Sequence, residues 1–212
     1  MISSSVLPGL SEKGSYTLYR HVYSIDDVSE IVEFARLRGI RVIPEFDTPG
    51  HTASWGPGAP PRFLTPCCDG NGVPKAGKFG PIDPTVPENY ELVGKLFEEV
   101  AEVFPDEYFH IGGDEVPFGC WQSNPNITSF MKQNKIETYA DLESLWVTGM
   151  IDIVSKLGME YVVWEEVFNN GVKVRRMSKS GFEISKISKN FELWSIPSLL
   201  LIFLLVGRAD HC

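Results

Sequence analysis

The 212-residue chain is short of several features that would each have pointed to a function. It has no basic excess: 19 Lys+Arg stand against 28 Asp+Glu, a formal net charge of −9. Phosphate contacts need clustered Lys/Arg, and the body of the chain offers none, so no nucleic-acid partner is expected. Long hydrophobic runs are also missing. The apolar run Leu199-Leu-Leu-Ile-Phe-Leu-Leu-Val206 falls well short of the ~20 residues of a spanning helix. It continues into Gly207-Arg-Ala-Asp-His-Cys212, whereas a lipid-anchor signal would end in its apolar tail, so no membrane role is expected. The opening Met1-Ile-Ser-Ser-Ser-Val-Leu-Pro8 lacks the basic and apolar regions of a secretory signal. Cysteine is scarce, at four, and Cys67-Cys68 lacks the spacing of metal ligands, so neither a metal nor a cofactor is expected. A hydrophobic fraction of 43% excludes wholesale disorder, collagen and a multi-span membrane protein. The acidic balance fits a neutral, polar substrate.

What charge there is lies unevenly. Residues 173–212 carry seven basic and three acidic side chains, 7 − 3 = +4, which leaves 12 − 25 = −13 on residues 1–172. Two differently composed pieces meet near Gly171: an acidic body, and a basic tail that contains the short apolar run. In the body, three helical patterns alternate with three short apolar runs. Ser24 and Asp27 make a capping-box start, and Val28, Ile31, Val32 and Ala35 recur at helical spacing up to Gly39. Ile40 to Asp47 then reads as a strand. A second helix uses Val93, Leu96, Phe97, Val100 and Phe104, and is followed by Tyr108-Phe-His-Ile111. A third uses Leu142, Leu145, Trp146, Met150, Ile153 and Leu157, and is followed by Tyr161-Val-Val-Trp164. Helix then strand, three times over, predicts an α/β fold with parallel strands and helical crossovers.

The segment Thr48 to Glu88 has no periodicity and is rich in Pro and Gly, so it is expected to be a long functional loop. It follows the C-terminal end of the first strand, where parallel sheets and barrels build active sites. Carboxylates gather at such ends: Glu45 and Asp47 after the first run, Asp114 and Glu115 after the second, Glu165 and Glu166 after the third. Mutual repulsion of adjacent Asp114 and Glu115 raises one pKa and leaves the other ionised, which suits an acid beside a stabilising anion. The preceding Gly112 and Gly113 are expected to let a substrate approach the backbone. A solvated acidic cap on a strand-to-helix turn is the alternative.

His110-Ile-Gly-Gly-Asp-Glu-Val116 resembles the catalytic segment of the family 20 glycoside hydrolases, the β-N-acetylhexosaminidases. Arg38 to His51, Leu64-Thr-Pro-Cys67, Phe118 to Pro125 and Tyr161 to Val167 are similar to the animal lysosomal type, so the resemblance covers roughly residues 10–172. It implies Glu115 as general acid/base. The substrate's own 2-acetamido oxygen would be the nucleophile in a retaining reaction, with Asp114 orienting that group and stabilising its charge. Asp47 would contact sugar hydroxyls or support the acidic pair, and His51 would orient carboxylates. Trp164 would wall the N-acetyl pocket, a barrel-core tryptophan being the other reading. His110, between Phe109 and Ile111, is expected in the core, and Glu165 and Glu166 in solvent or supporting roles. Cys67 and Cys120 coincide with a disulfide pair of the family, holding the long loop for roughly 3 to 4 kcal/mol; adjacent Cys68 is a competitor for that bridge. Asn126-Ile-Thr128 is a glycosylation sequon. The substrate class implied is a glycan ending in N-acetylhexosamine, the compartment the lysosome, and the assembly a dimer.

The departures matter as much. The family's catalytic domain is an eight-stranded (β/α) barrel of about 250 residues, and only three strands are legible here. The fold is therefore expected to be a partial TIM barrel of about three β/α units over 1–172, followed by an unrelated tail over 173–212. On that reading the chain is truncated and lacks parts of the pocket, which puts its own turnover in question. The alternative function is a non-catalytic fragment that binds sugar or a full-length subunit.

Overall fold

Short sequence signals start each helix around the site. In the computed structural model, which describes residues 1–17, 20–172 and, as backbone only, 202–205, Ser24 caps helix α2 (Ile25–Arg36). The Asp27 N–H donates to Ser24 Oγ over 3.1 Å, and the Asp27 carboxylate accepts from the Ser24 N–H over 2.7 Å. Helix α1 (Pro8–Gly14) precedes it. Pro87 opens α3 (Pro87–Val103), which buries Val93, Leu96, Phe97 and Val100. Thr138 and Asp141 form a second capping box on α6 (Tyr139–Lys156), whose buried face carries Leu142, Trp146, Met150 and Val154.

Helices α2, α3 and α6 each lead to a short strand, β1 (Val42–Glu45), β4 (Tyr108–His110) and β5 (Glu160–Val162), of which β1 is wholly buried. The three pair in parallel, Glu45 opposite His110 and His110 opposite Val162, as the helix–strand alternation predicts. A fourth strand, β6 (Ile202–Leu205), pairs in parallel with the other edge of β1, giving the order β5-β4-β1-β6. Four residues of the apolar run that had no place in the sequence-based fold thus enter the sheet through their backbone. The rest of the tail, 173–201 and 206–212 with Cys212, lies outside the described residues.

The expected long loop is not structureless. After a 3-10 turn (Ala53–Trp55) it folds into an antiparallel hairpin, β2 (Leu64–Cys68) with β3 (Pro74–Ile82). Four short helices lack a strong apolar period and escape the sequence reading: α1, α4 (Gly119–Ser123), α5 (Pro125–Asn134) and α7 (Glu165–Asn169). Beneath the sheet, the rings of Phe46, Phe97 and Phe109 meet at centroid distances of 4.4 to 5.7 Å. All three are buried, each contributing about 1.5 to 3 kcal/mol of apolar transfer. Among the described residues, no helix is long and apolar enough to cross a membrane.

Candidate active site

The strand ladder continues past β1 and carries the site with it. The Phe46 N–H donates to the His110 carbonyl over 3.0 Å and the Thr48 N–H to the Ile111 carbonyl over 3.3 Å. These bonds set Asp47 beside the turn that follows β4, where its Oδ1 accepts from the Gly113 N–H over 2.8 Å. Trp146 of α6 fixes the next residue, its Nε1–H donating to Thr48 Oγ1 over 3.0 Å.

Gly112 and Gly113 have φ of 69° and 101°, in the region that favours glycine. A Cβ on Gly112 would stand 1.9 Å from Asp47 Oδ1, and one on Gly113 would stand 2.4 Å from Val167 Cγ2. The space these glycines leave is therefore taken by Asp47 and Val167, and not by a substrate as their position in the sequence suggested. The chain then presents Asp114 and Glu115. Glu115, at φ 51°, and His51, at φ 49°, are both non-glycine residues in left-handed backbone, a conformation that costs energy and concentrates at functional sites.

His51 Nε2 lies at the centre, 3.8 Å from Asp47 Oδ2, 3.7 Å from Asp114 Oδ1 and 3.7 Å from Glu115 Oε2. Exposure is graded outward, with side-chain accessibilities of 7% for His51, 13% for Asp47, 18% for Asp114 and 55% for Glu115. The carboxyl pushed most clearly up is Asp47, not a member of the adjacent pair. Burial, followed by its hydrogen bond to Asp114 and the charges of Asp114 and Glu45, raises it to about 8 against the Gly113 N–H. At neutral pH a proton is thus held between Asp47 and Asp114. One ligand atom from each of Asp47, His51 and Asp114 lies within 4.8 Å of the others, a spacing that suits a cation. A proton retained on Asp47 works against ligation, which needs ionised carboxylates.

Behind this group, Trp164 is half-buried. Its backbone N–H donates to the Gly112 carbonyl over 3.0 Å and its Nε1–H donates to Glu45 Oε1 over 2.9 Å. His110 is buried, as expected, and burial lowers it to about 3, so it is neutral; its Nδ1 accepts from the Gly112 N–H over 3.1 Å. Glu165 and Glu166 are partly buried at the start of α7. The sequence reading placed Glu45 among the strand-end carboxylates but gave it no individual role, although a carboxylate closing an otherwise apolar run, Val42-Ile-Pro, is itself a signal.

The disulfide joins Cys67 of β2 to Cys120 of α4. Cys68 does not compete for it: the thiol is free and buried, and its backbone N–H donates to Ser123 Oγ over 2.9 Å. Asn126 is exposed in the first turn of α5, the helix that follows the one carrying Cys120.

The model of the glycosyl hydrolase family 20 catalytic domain matches residues 1–190. The beta-hexosaminidase subunit alpha of Mus musculus is 52% identical over 172 residues, 81% of this chain and 32% of that protein. The beta-hexosaminidase subunit beta of Homo sapiens is 48% identical over 172 residues, 81% of this chain and 30% of its own length. The chain thus spans about a third of the length of the curated relatives it matches. Among solved structures, a Flavobacterium johnsoniae chitobiase superposes with a TM-score of 0.66 at 30% identity, covering 78% of this chain and 25% of that one. A Vibrio harveyi exo-β-N-acetylglucosaminidase in complex with N-acetylglucosamine gives 0.63 at 29% identity, covering 78% and 28%.

Proposed function

The chain belongs to glycosyl hydrolase family 20, and from that premise we propose that it carries the acid/base centre of a β-N-acetylhexosaminidase acting on glycans that end in N-acetylglucosamine or N-acetylgalactosamine. The observation that carries this reading is the convergence of Asp47, Asp114 and Glu115 on His51 Nε2, all within 3.8 Å, at the C-terminal ends of parallel strands. Glu115, the most exposed of the three, is the acid that protonates the glycosidic oxygen and then, as base, activates water. Asp114 holds the acetamido N–H, so that the substrate's carbonyl oxygen attacks the anomeric carbon with retention. The proton on Asp47 keeps Asp114 oriented, and His51 spaces the three carboxyls. Trp164 walls the acetamido group.

The sheet is read as part of a (β/α)8 barrel, with β1, β4 and β5 each followed in the chain by a helix, α3, α6 and α7. The change from −13 to +4 supports a boundary at residue 172, while the family match runs on to 190. The disulfide and the exposed sequon at Asn126 support a secretory route, and the family resemblance a lysosomal destination.

Purified chain, assayed with a chromogenic N-acetylglucosaminide and the matching glucoside, tests the reading. Turnover of the first alone, lowered about 10²-fold or more by Glu115→Gln, is expected. Equal hydrolysis of the glucoside, or indifference to Glu115→Gln, overturns it. N-acetylglucosamine binding without turnover selects the second reading, a non-catalytic sugar-binding module.

A further inference from the structure

A carboxylate at the end of a fully buried strand needs a reason. Glu45 has no exposed surface, and every residue of β1 is buried. An apolar side chain would fill that space without the desolvation cost of a charge or an unsatisfied carboxyl. The polar demand comes from across the sheet. Glu45 is in register with His110, and His110 with Val162. Trp164 follows Val162 by two residues, the spacing that returns a side chain to the same face. Glu45 and His110 thus share a row, Trp164 lies two residues beyond the Val162 that completes it, and the side chains meet: the Trp164 Nε1–H donates to Glu45 Oε1 over 2.9 Å. The His110 ring packs against the indole at a centroid distance of 4.7 Å and an interplanar angle of 58°, with its Nδ1 3.4 Å from Glu45 Oε1.

We propose that Glu45 is a positioning residue for substrate recognition: by accepting the indole N–H of Trp164 it fixes the plane of that ring as one wall of the acetamido subsite. The proposal rests on the function proposed above. The indole is held at three points, its N–H by Glu45, its face by His110 and its backbone N–H by the Gly112 carbonyl. The last bond ties it to the turn that carries Asp114 and Glu115, so the wall and the acid/base pair keep one geometry. A wall fixed before the sugar arrives loses no rotamer freedom on binding.

The test uses the full chain with 15N-labelled tryptophan. The Trp164 indole N–H signal is assigned by its loss in Trp164→Phe, and N-acetylglucosamine and glucose are the probes. In the parent, the Trp164 signal moves with N-acetylglucosamine and not with glucose. Glu45→Ala shifts that signal in the free protein, leaves those of Trp55, Trp121 and Trp146 in place, and weakens N-acetylglucosamine binding about tenfold, the worth of one hydrogen bond. Glu45→Gln keeps an acceptor oxygen and stays within about threefold of the parent. If Glu45→Ala does not fold, Trp164→Phe removes the donor from the other side and must itself weaken binding by a similar factor. Parent-like binding in Glu45→Ala or Trp164→Phe, or Glu45→Gln no better than Glu45→Ala, overturns this proposal while leaving the proposed function standing. A parent Trp164 signal unmoved by N-acetylglucosamine overturns the proposed function, and the wall with it.

Discussion

Asp47 and Gly112 share one small volume, and that sharing decides what each position tolerates. An alanine at 112 would combine a φ of 69° with a Cβ 1.9 Å from Asp47 Oδ1. Gly112→Ala is therefore expected to destabilise the chain by more than about 1 kcal/mol, seen as a lower urea midpoint, and to push Asp47 out of place. Asp47→Asn is the milder change. Its amide has the shape of the protonated carboxyl, can still accept from the Gly113 N–H, and donates toward Asp114 as the shared proton does. The expected outcome is activity retained at acid pH with the alkaline limb near pH 8 removed from the pH–rate profile; a limb that persists in Asp47→Asn would assign it to another group. Asp114 and Glu115 are legible in the sequence because they are contiguous with a recognisable motif. The proton on Asp47 is not, because it depends on a strand register that brings residues 47 and 114 together across 66 intervening positions.

The helices and the hairpin show the same contrast at the scale of elements. Helices α2, α3 and α6 announce themselves through apolar residues at 3.6-residue spacing, with capping boxes on α2 and α6, all of it local information. The β2–β3 hairpin announces nothing. Pro66 lies inside β2, Pro74 and Pro81 lie in β3, the first six residues of β3 are exposed, and the pairing shifts register twice. What holds it is distant in sequence: the Cys67–Cys120 bridge, the Trp121 Nε1–H donating to Thr65 Oγ1 over 3.1 Å, and the Cys68 N–H on Ser123 Oγ. Local pattern cannot show a strand pair whose stability is tertiary. Cys120→Ala should accordingly cost roughly 3 to 4 kcal/mol in urea unfolding and expose the hairpin to protease, while leaving helical circular dichroism near that of the parent. A loss below about 1 kcal/mol would place the hairpin's stability in its hydrogen bonds and apolar contacts instead.

At the scale of the molecule, the shifts of Asp47, Glu143 and His110, among the described residues, pull the preferred pH in opposite senses. Burial raises Asp47 to about 8, and burial with the charge of Glu166 raises Glu143 to about 7 against the Asn170 amide. Both carboxyls keep protons in the folded chain that the unfolded chain releases near 3.8 and 4.5. Stability from these two is present below those values and is lost as pH rises toward 7 and 8. His110 acts in the opposite sense. Burial lowers it from 6.5 to about 3, so the unfolded chain takes up a proton that the folded chain refuses, and acid costs stability across that window. Between about pH 4.5 and 6.5 the two carboxyls outnumber the histidine by one proton, so stability still rises as pH falls. Below about pH 4 the direction reverses: His110 continues, and Asp27 and Asp141, held down by their capping hydrogen bonds to Ser24 and Thr138, lose theirs. The melting temperature is therefore expected to peak near pH 4.5 and to decline steadily to pH 8, and the Asp47→Asn/Glu143→Gln double variant to flatten that decline. A parent melting temperature that rises from pH 5 to pH 8 would refute the assignment. The peak coincides with the interior of an acidic compartment, so the groups that give the fold its preferred pH and the destination proposed for the chain make the same demand.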